Sequence, residues 1–523
     1  MNQSADQTTA DTRRRLAAAV LGMAALLAIA IALWQLTAAS AGLRIAHMRL
    51  GPLPVTLYRP ADDTPAPTVV IAHGFAGSQP LMQPYAVTLA RNGYRVLTFD
   101  FPGHGRNTQP FVSGITDQAR RLQVLLDGLA PAVDFALSQP GADGRLALLG
   151  HSMAGDVLVR YAERHPGRVG ATLLLSPYLS GDAAAAGVGN LLLIYGALEP
   201  EMLQRQGLAV LSKAIGQAAQ PGVTYGDPAR GDARRLVLAP GVEHIGELYS
   251  PLAIDAARDW LDRGFSRSGS GFVEQRGPWL GLLYLGLIAL AWPLAQWLPR
   301  LASAPLGAGL GWRRLLPVAL VPAIATPLVL WKLPHHFLPI LLGDYLALHF
   351  AVYGLITAVL TWWIGRRHRA GQPAVSWSGR GFVLVTLAVS AYAVLAIAVP
   401  TDRFVATLLP GTERLPLMAA VLAGTLPYFI ADEWLTRGRG AARGGYALTK
   451  VLFLASLACA VALDLRSLFF LIIIVPAILP CFLVYGLMSG WVYRRTGHPL
   501  VMAVASALAF ASAIAATFPL VGT

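Results

Sequence analysis

Cysteine is nearly absent. The 523 residues contain two, Cys459 and Cys481, both inside apolar runs, which excludes a disulfide framework and a thiolate metal site and leaves the redox compartment open. Charge is scarce too, 13% of residues against 55% hydrophobic, with a mean hydropathy of +0.53. That balance is too apolar for a soluble enzyme, excludes disorder and fibrous repeats, and the length exceeds one domain. Acidic residues are the scarcer sign, 28 against 41 Lys and Arg, for a net charge of +13. Such an excess can mark a nucleic-acid binder. Here the cations fall mostly in short clusters between apolar runs of spanning length, so the excess is topological and no nucleic-acid partner is expected.

Long apolar runs are what the chain has in abundance. Leu16 to about Ala39 follows Arg13, Arg14 and Arg15 and has roughly the 20 residues that cross a hydrocarbon core, so residues 1–42 read as a signal anchor. A cleavable signal peptide is the alternative, with Ala39, Ser40 and Ala41 as its processing site. Either would export the segment after it. Residues 43–265 have the composition of a water-soluble α/β domain, and 266–277, opening with SRSGSG, read as a flexible linker. Residues 278–523 carry eight further runs: Trp279–Leu298, Leu315–Trp331, Phe337–Ile364, Phe382–Val399, Leu417–Leu435, Tyr446–Leu463, Leu468–Tyr493 and Leu500–Val521. With the N-terminus inside, the inner segments hold 16 Lys and Arg and the outer short loops only Lys332, Arg403, Arg414 and Arg466. The positive-inside rule thus supports about nine spans with the soluble domain outside; a bacterial inner membrane with that domain on its periplasmic face is the expected location. Leu315–Trp331, with Pro317, Pro322 and Pro327, is the weakest span, and its loss would invert every later loop.

In the soluble part, β-rich runs at 67–74, 94–100, 145–152, 171–177, 190–196 and 234–241 alternate with helical stretches around Pro84–Asn92, Thr116–Ser138 and Ala154–His165. The alternation predicts a mostly parallel sheet whose strand carboxyl ends bind ligands. At the end of the third run stands GHSMAG, Gly150 to Gly155. A serine on such a strand-turn-helix corner is strained, exposed and set over a helix N-terminus. These residues resemble the G-x-S-x-G nucleophile elbow of the α/β-hydrolase family, with Ala154 in place of the second glycine. HGFAGS (His73 to Ser78) and FDFPGHGRN (Phe99 to Asn107) stand where that family places its oxyanion loop and its next turn. The likeness covers about 220 residues, in family order.

The resemblance implies a Ser, acid, His order, each residue after a later strand. Ser152 is the nucleophile. His244, in APGVEHIGEL beyond the last strand, is the base; His73, His104 and His151 sit in loop motifs as backbone-shaping neighbours, and His165 at a helix end. The resemblance implies Glu199, after LLLIYGA, as the acid; a glutamate favoured at a helix start by the dipole is the alternative reading. Asp227 and Asp232 precede the histidine's strand and would emerge at the wrong end of the sheet. The N–H groups of Phe75 and Met153 are the expected oxyanion hole. The expectation is a serine esterase or lipase-like enzyme, without metal or cofactor. Its partners would be a small-molecule or lipid ester substrate and membrane lipids; an amidase or peptidase of the same fold is the alternative. Only about a dozen residues separate Pro177 from Asn190, too few for a lid, so an open site is expected.

The apolar part adds ionisable residues inside spans, which are functional candidates by default. Asp344 and His349 share one run, with His335 and His336 just before it, and are read as buried polar contacts. ADEWLTRG, with Asp432, Glu433 and Arg437, and the last span are similar to the CAAX-protease and bacteriocin-processing membrane family. The histidines that family's metal needs are missing, since no His occurs between His368 and His498. The similarity implies a degenerate, non-peptidase relative serving as an anchor or a ligand-binding domain, and interfacial charges at a helix end are the alternative reading. A transporter or sensor whose hydrolase-like part is a binding module is the rival function.

Overall fold

The computed structural model describes residues 2–112, 118–180, 185, 187–334, 336–369 and 375–522. The expected helix start at Thr116 and the candidate His335 lie outside the described residues. Strands β1 (Leu43–Leu50), β2 (Leu53–Pro60), β3 (Ala66–Ala72), β4 (Arg95–Phe99), β5 (Ala142–His151), β6 (Ala171–Leu175), β7 (Leu191–Gly196), β8 (Thr224–Tyr225) and β9 (Arg234–Ala239) form one sheet. Its order is β1-β2-β4-β3-β5-β6-β7-β9-β8. The six strands from β4 to β9 in that order are parallel, and β1, β2 and β8 add antiparallel edges.

Alternate strand residues serve two cores. Val70, Leu148, Leu174 and Leu193 pack with α3 (Gln118–Ser138), α4 (Ala154–Arg164) and α5 (Glu201–Ile215). Val69, Ile71, Leu149 and Ile194 pack with α2 (Gln83–Arg91) and α6 (Pro251–Gly264). Burial on both faces explains why these strands read as continuous apolar runs, each large side chain contributing about 1.5–3 kcal/mol. β1, an outer strand with a half-exposed pattern, has no such run and escaped the sequence reading, along with β2 and β8.

Among the described residues, nine helices are long and apolar enough to cross a membrane. They are α1 (Asn2–Ala38), α7 (Arg276–Gln296), α8 (Trp312–Leu330), α9 (Gly343–Arg369), α10 (Gly379–Phe404), α11 (Leu415–Thr436), α12 (Gly445–Leu463), α14 (Leu471–Thr496) and α15 (Leu500–Thr517), with the short α13 (Leu465–Leu468) before α14. α8 runs unbroken through its three prolines. Small residues permit close crossings: a Cβ on Gly354 would collide with the Tyr428 backbone of α11, and one on Gly286 of α7 would reach Ile29 of α1 at 2.8 Å. α15 is the most enclosed, with 72% of its apolar window buried.

Alternate connections gather at opposite ends of this bundle. At one end Leu301 N–H donates to Thr496 O at 2.8 Å, Gly309 N–H to Arg437 O at 2.8 Å and Ala442 N–H to Leu310 O at 2.9 Å. At the other, the end of α10 and the segments after α10, α13 and α15 touch the sheet-bearing part. Arg106 pairs with Asp402 at 2.6 Å, Phe111 N–H donates to Leu520 O at 2.7 Å and Leu520 N–H to Gly103 O at 2.8 Å. Arg414, 1% exposed, donates to Ala515 O, Phe518 O and Gly103 O, each at 2.8 Å.

Three sequence expectations are corrected. The run from Phe337 is not helical until Gly343, because Ile340 bridges to Leu520. The run to Val521 leaves the helix after Thr517 to make those same contacts. The segment 266–277 is fastened down, not free. Asn92 accepts from Gly271 N–H at 2.9 Å and donates to Phe272 O at 2.8 Å, and buried Glu274 pairs with buried Arg276 at 2.8 Å. Polar, glycine-rich composition hides such strapping, since backbone groups make most of the bonds.

Candidate active site

β5 ends at His151 and α4 starts at Ala154, so Ser152 and Met153 must turn the chain within two residues. Ser152 does so with φ at 51°, a left-handed conformation that costs a non-glycine residue on the order of 1 kcal/mol or more. Its N–H donates to Leu175 O at 2.9 Å, while its own carbonyl accepts from Gly155 N–H at 2.9 Å and Tyr178 N–H at 3.1 Å. The flanking glycines are steric necessities: a Cβ on Gly150 would meet Leu158 Cδ1 at 2.6 Å, and one on Gly155 would meet Pro177 Cβ at 2.5 Å. Ala154 is fully buried, and its methyl occupies the space over Gly150, which accounts for the departure from the usual glycine.

The structure brings Ser152, His244 and Glu199 into one hydrogen-bonded chain. His244 lies beyond β9, with Nε2 3.0 Å from Ser152 Oγ and Nδ1 2.9 Å from Glu199 Oε2. Glu199 follows β7 and is wholly buried, while the imidazole is 23% exposed. The other carboxylate oxygen, Oε1, accepts from Gly196 N–H at 2.7 Å and from Ser176 Oγ–H at 2.5 Å. With Oε1 so occupied, Oε2 is left to receive Nδ1–H, and Nε2 is the bare acceptor toward Ser152. Asp227 and Asp232 lie before β9, on polar turns away from His244.

Two supporting residues were not given these roles by the sequence. Ser176 directly follows β6, with φ at 44°; only its place after a strand pointed to it. His151 Nε2–H donates to His244 O at 3.1 Å, which leaves its Nδ1 bare against Gly74. Burial and the neighbouring His244 hold the His151 imidazole well below its ordinary range, so it stays neutral.

The loop after β3 presses on the serine: a Cβ on Gly74 would meet Ser152 Cβ at 3.0 Å and His151 Nδ1 at 2.8 Å. His73 Nε2 accepts from Phe101 N–H at 3.1 Å, so its Nδ1–H donates to Gly74 O at 2.8 Å. Gly77 N–H donates to the same carbonyl at 3.0 Å. Burial pushes His73 below its usual range against the pull of Asp100, and takes His104 down to about 3. Among the described residues, the N–H groups of Phe75 and Met153 have no acceptor within the protein.

In the helical part, Asp344 and His349 do not meet. Asp344 accepts from Phe337 and Tyr345 N–H at 3.1 and 2.8 Å, and His349 Nε2 lies 3.1 Å from Ser456 Oγ. Asp432 and Glu433 are buried, not interfacial. Asp432 pairs with Lys450, and Glu433 with Arg437 at 3.1 Å and Ser489 at 2.5 Å. Lys450 and Ser489 stand on other helices, which explains why this burial was invisible from the local sequence. Among the described residues, no group of three or more His, Cys, Asp or Glu is arranged to hold a metal ion.

The strand order, the elbow after β5 and helices on both faces define an α/β-hydrolase fold. Residues 63–216 match the family Hydrolase_4, described as serine aminopeptidase, S33. The chain is 34% identical over 152 residues to Esterase YjfP of Escherichia coli, covering 27% of this chain and 59% of that protein. It is 28% identical over 182 residues to a monoacylglycerol lipase of Mycolicibacterium smegmatis, covering 34% and 63%. The chain spans between 37% and 59% of the first three relatives' lengths. Among solved structures, Est1E from Butyrivibrio proteoclasticus is 15% identical with a TM-score of 0.31, covering 43% of this chain and 99% of that one.

Proposed function

We propose that this chain is a membrane-embedded serine hydrolase that cleaves carboxylic esters, with lipid esters its natural substrates. The observation that carries the reading is the relay from Glu199 through His244 to Ser152, at 2.9 and 3.0 Å. His244 Nε2 takes the proton as Ser152 Oγ attacks the acyl carbon, and the carbonyl oxygen becomes an oxyanion received by the free N–H groups of Phe75 and Met153. Collapse breaks the ester C–O bond, and the imidazolium protonates the leaving alkoxide. Water, deprotonated by the same nitrogen, then attacks the acyl-enzyme and releases the acid and Ser152. Glu199 fixes the tautomer and offsets the imidazolium charge.

The lipid preference rests on what borders the site. Leu198, Met202 and Ile245 come after the strands that carry Glu199 and His244, Tyr178 N–H donates to Ser152 O, and all four residues are exposed, Met202 at 74%. The loop bearing Phe75 packs against the core of the helical region, at the end of the bundle away from most inter-helix arginines. By the positive-inside rule that end faces out, and the site stands at headgroup depth. The monoacylglycerol lipase relative supports the same class.

The test is hydrolysis by the purified full chain in detergent of p-nitrophenyl butyrate, a monoacylglycerol and an aminoacyl p-nitroanilide, for wild type and Ser152→Ala. Ester turnover by wild type and its loss in the variant are expected. The family description favours one second reading, an aminopeptidase; anilide cleavage without ester cleavage would establish that instead.

A further inference from the structure

We infer that the helical region is a working part of the hydrolytic site, with Phe470 the positioning residue that holds the oxyanion loop. The inference rests on the proposed function, in which Ser152 attacks and the Phe75 N–H receives the oxyanion. Residues 74–77 are an improbable piece of backbone. Ala76 sits at φ 54°, the Phe75 N–H has no protein acceptor among the described residues, and Gly74 is pressed against Ser152 and His151. A strained loop with an unspent donor persists only when its surroundings over-determine it.

Those surroundings come from both halves of the chain. From the sheet side, His73 and Gly77 hold the Gly74 carbonyl, and His104 stands edge-on to the Phe75 ring at 5.9 Å. From the helical side, Thr407 N–H donates to Ser78 Oγ at 2.8 Å. Phe470, at the junction of α13 and α14, stacks on Phe75 with ring centroids 4.1 Å apart and planes 20° apart. The free edge of the loop is thus fixed by two contacts from the bundle. The Phe75 ring and its own N–H share one Cα, so a ring stacked on Phe470 and met edge-on by His104 leaves little freedom for the φ that aims the donor. A hydrolase domain alone would keep Ser152, His244 and Glu199 together and lose this clamp. The bundle does what a cap does in other enzymes, but it acts on the transition state more than on substrate entry.

The test uses the full chain in nanodiscs with p-nitrophenyl butyrate. Phe470→Ala should lower kcat by about 10- to 100-fold, a large part of what one oxyanion donor supplies, with KM within about twofold. Inactivation by a fluorophosphonate, whose adduct places an oxygen in the same hole, should slow in parallel. Phe470→Tyr, which keeps the stack, should restore kcat. In a Phe75→Ala background, Phe470→Ala should cost less than threefold. If Phe470→Ala does not fold, Phe470→Leu, which keeps apolar volume without the stack, is measured in its place and should show the same split. The inference is overturned if kcat stays within about threefold of wild type, if KM carries the loss, or if the two substitutions multiply. An inactive wild type, or a Ser152→Ala variant as active as wild type, defeats the underlying reading instead.

Discussion

Glu199→Gln isolates the tautomer argument, because the structure dictates how the amide must sit. The Glu199 Oε1 position receives two hydrogen bonds, from Gly196 N–H at 2.7 Å and Ser176 Oγ–H at 2.5 Å. A glutamine must therefore place its carbonyl oxygen there, since an NH2 at that position would oppose the Gly196 N–H. The NH2 then faces His244 Nδ1, 2.9 Å away, and can only donate. Nδ1 is forced to be the acceptor, Nε2 carries the hydrogen, and it points at Ser152 Oγ with no lone pair to take the proton. The volume is unchanged, so folding should be retained while kcat falls about 10⁴-fold, equivalent to about 5.4 kcal/mol of transition-state stabilisation at 1.36 kcal/mol per decade. Steady-state ester hydrolysis, with circular dichroism to verify folding, is the assay. A folded Glu199→Gln protein within tenfold of wild type would refute the reasoning, and with it the choice of Glu199 as the acid.

Two further outcomes are expected from buried polar groups outside this relay. Glu247 is fully buried, accepts from Tyr85 Oη–H at 2.7 Å, and has its carboxyl pushed up to about 8 by burial. The native state therefore keeps a proton that the unfolded chain releases near its ordinary value of about 4.3. Stability should fall as pH rises between these values, by up to about 5 kcal/mol in all. Glu247→Gln should flatten that decline in thermal unfolding between pH 5 and pH 8, and an unchanged slope would assign the pH dependence elsewhere. Arg414→Met removes three hydrogen bonds that reach Gly103, the last turn of α15 and the segment after it, at about 2–4 kcal/mol for the carbonyls left short of a partner. Hydrogen exchange at Phe111 and Leu520 should accelerate while Val70 in the central sheet stays protected; equal rates in variant and wild type would mean that Arg414 does not hold the junction.

How much of this was legible in the sequence depends on the range of the forces involved. The parallel strands were readable because burial on both faces writes an uninterrupted run such as Val69, Val70 and Ile71. The outer strand Leu43–Leu50 was not, because one exposed face interrupts the run with Arg44, His47 and Arg49. Ser152 was marked by its flanking glycines, a local steric demand. Glu199 and His244 could be named only from their order after strands, and Ser176 shares that mark of following a strand, with nothing local to announce its bond to Glu199. Apolar length located the helices but not their ends: Phe337 and Val521 extend apolar runs, yet Phe337 lies before the start of α9 and Val521 beyond the end of α15. The pairing of Asp432 with Lys450, and the stack of Phe470 on a ring nearly 400 positions earlier, depend on how separate elements meet. Neither leaves a local pattern.

The central claim is that Ser152 is an activated nucleophile, and covalent trapping addresses it most directly. Intact wild-type chain treated with a fluorophosphonate probe and mapped by mass spectrometry should carry one adduct, on Ser152. That adduct should be absent from Ser152→Ala and should form at least about 10³-fold more slowly in His244→Ala. No adduct on folded wild type, or labelling that survives Ser152→Ala, would contradict the account.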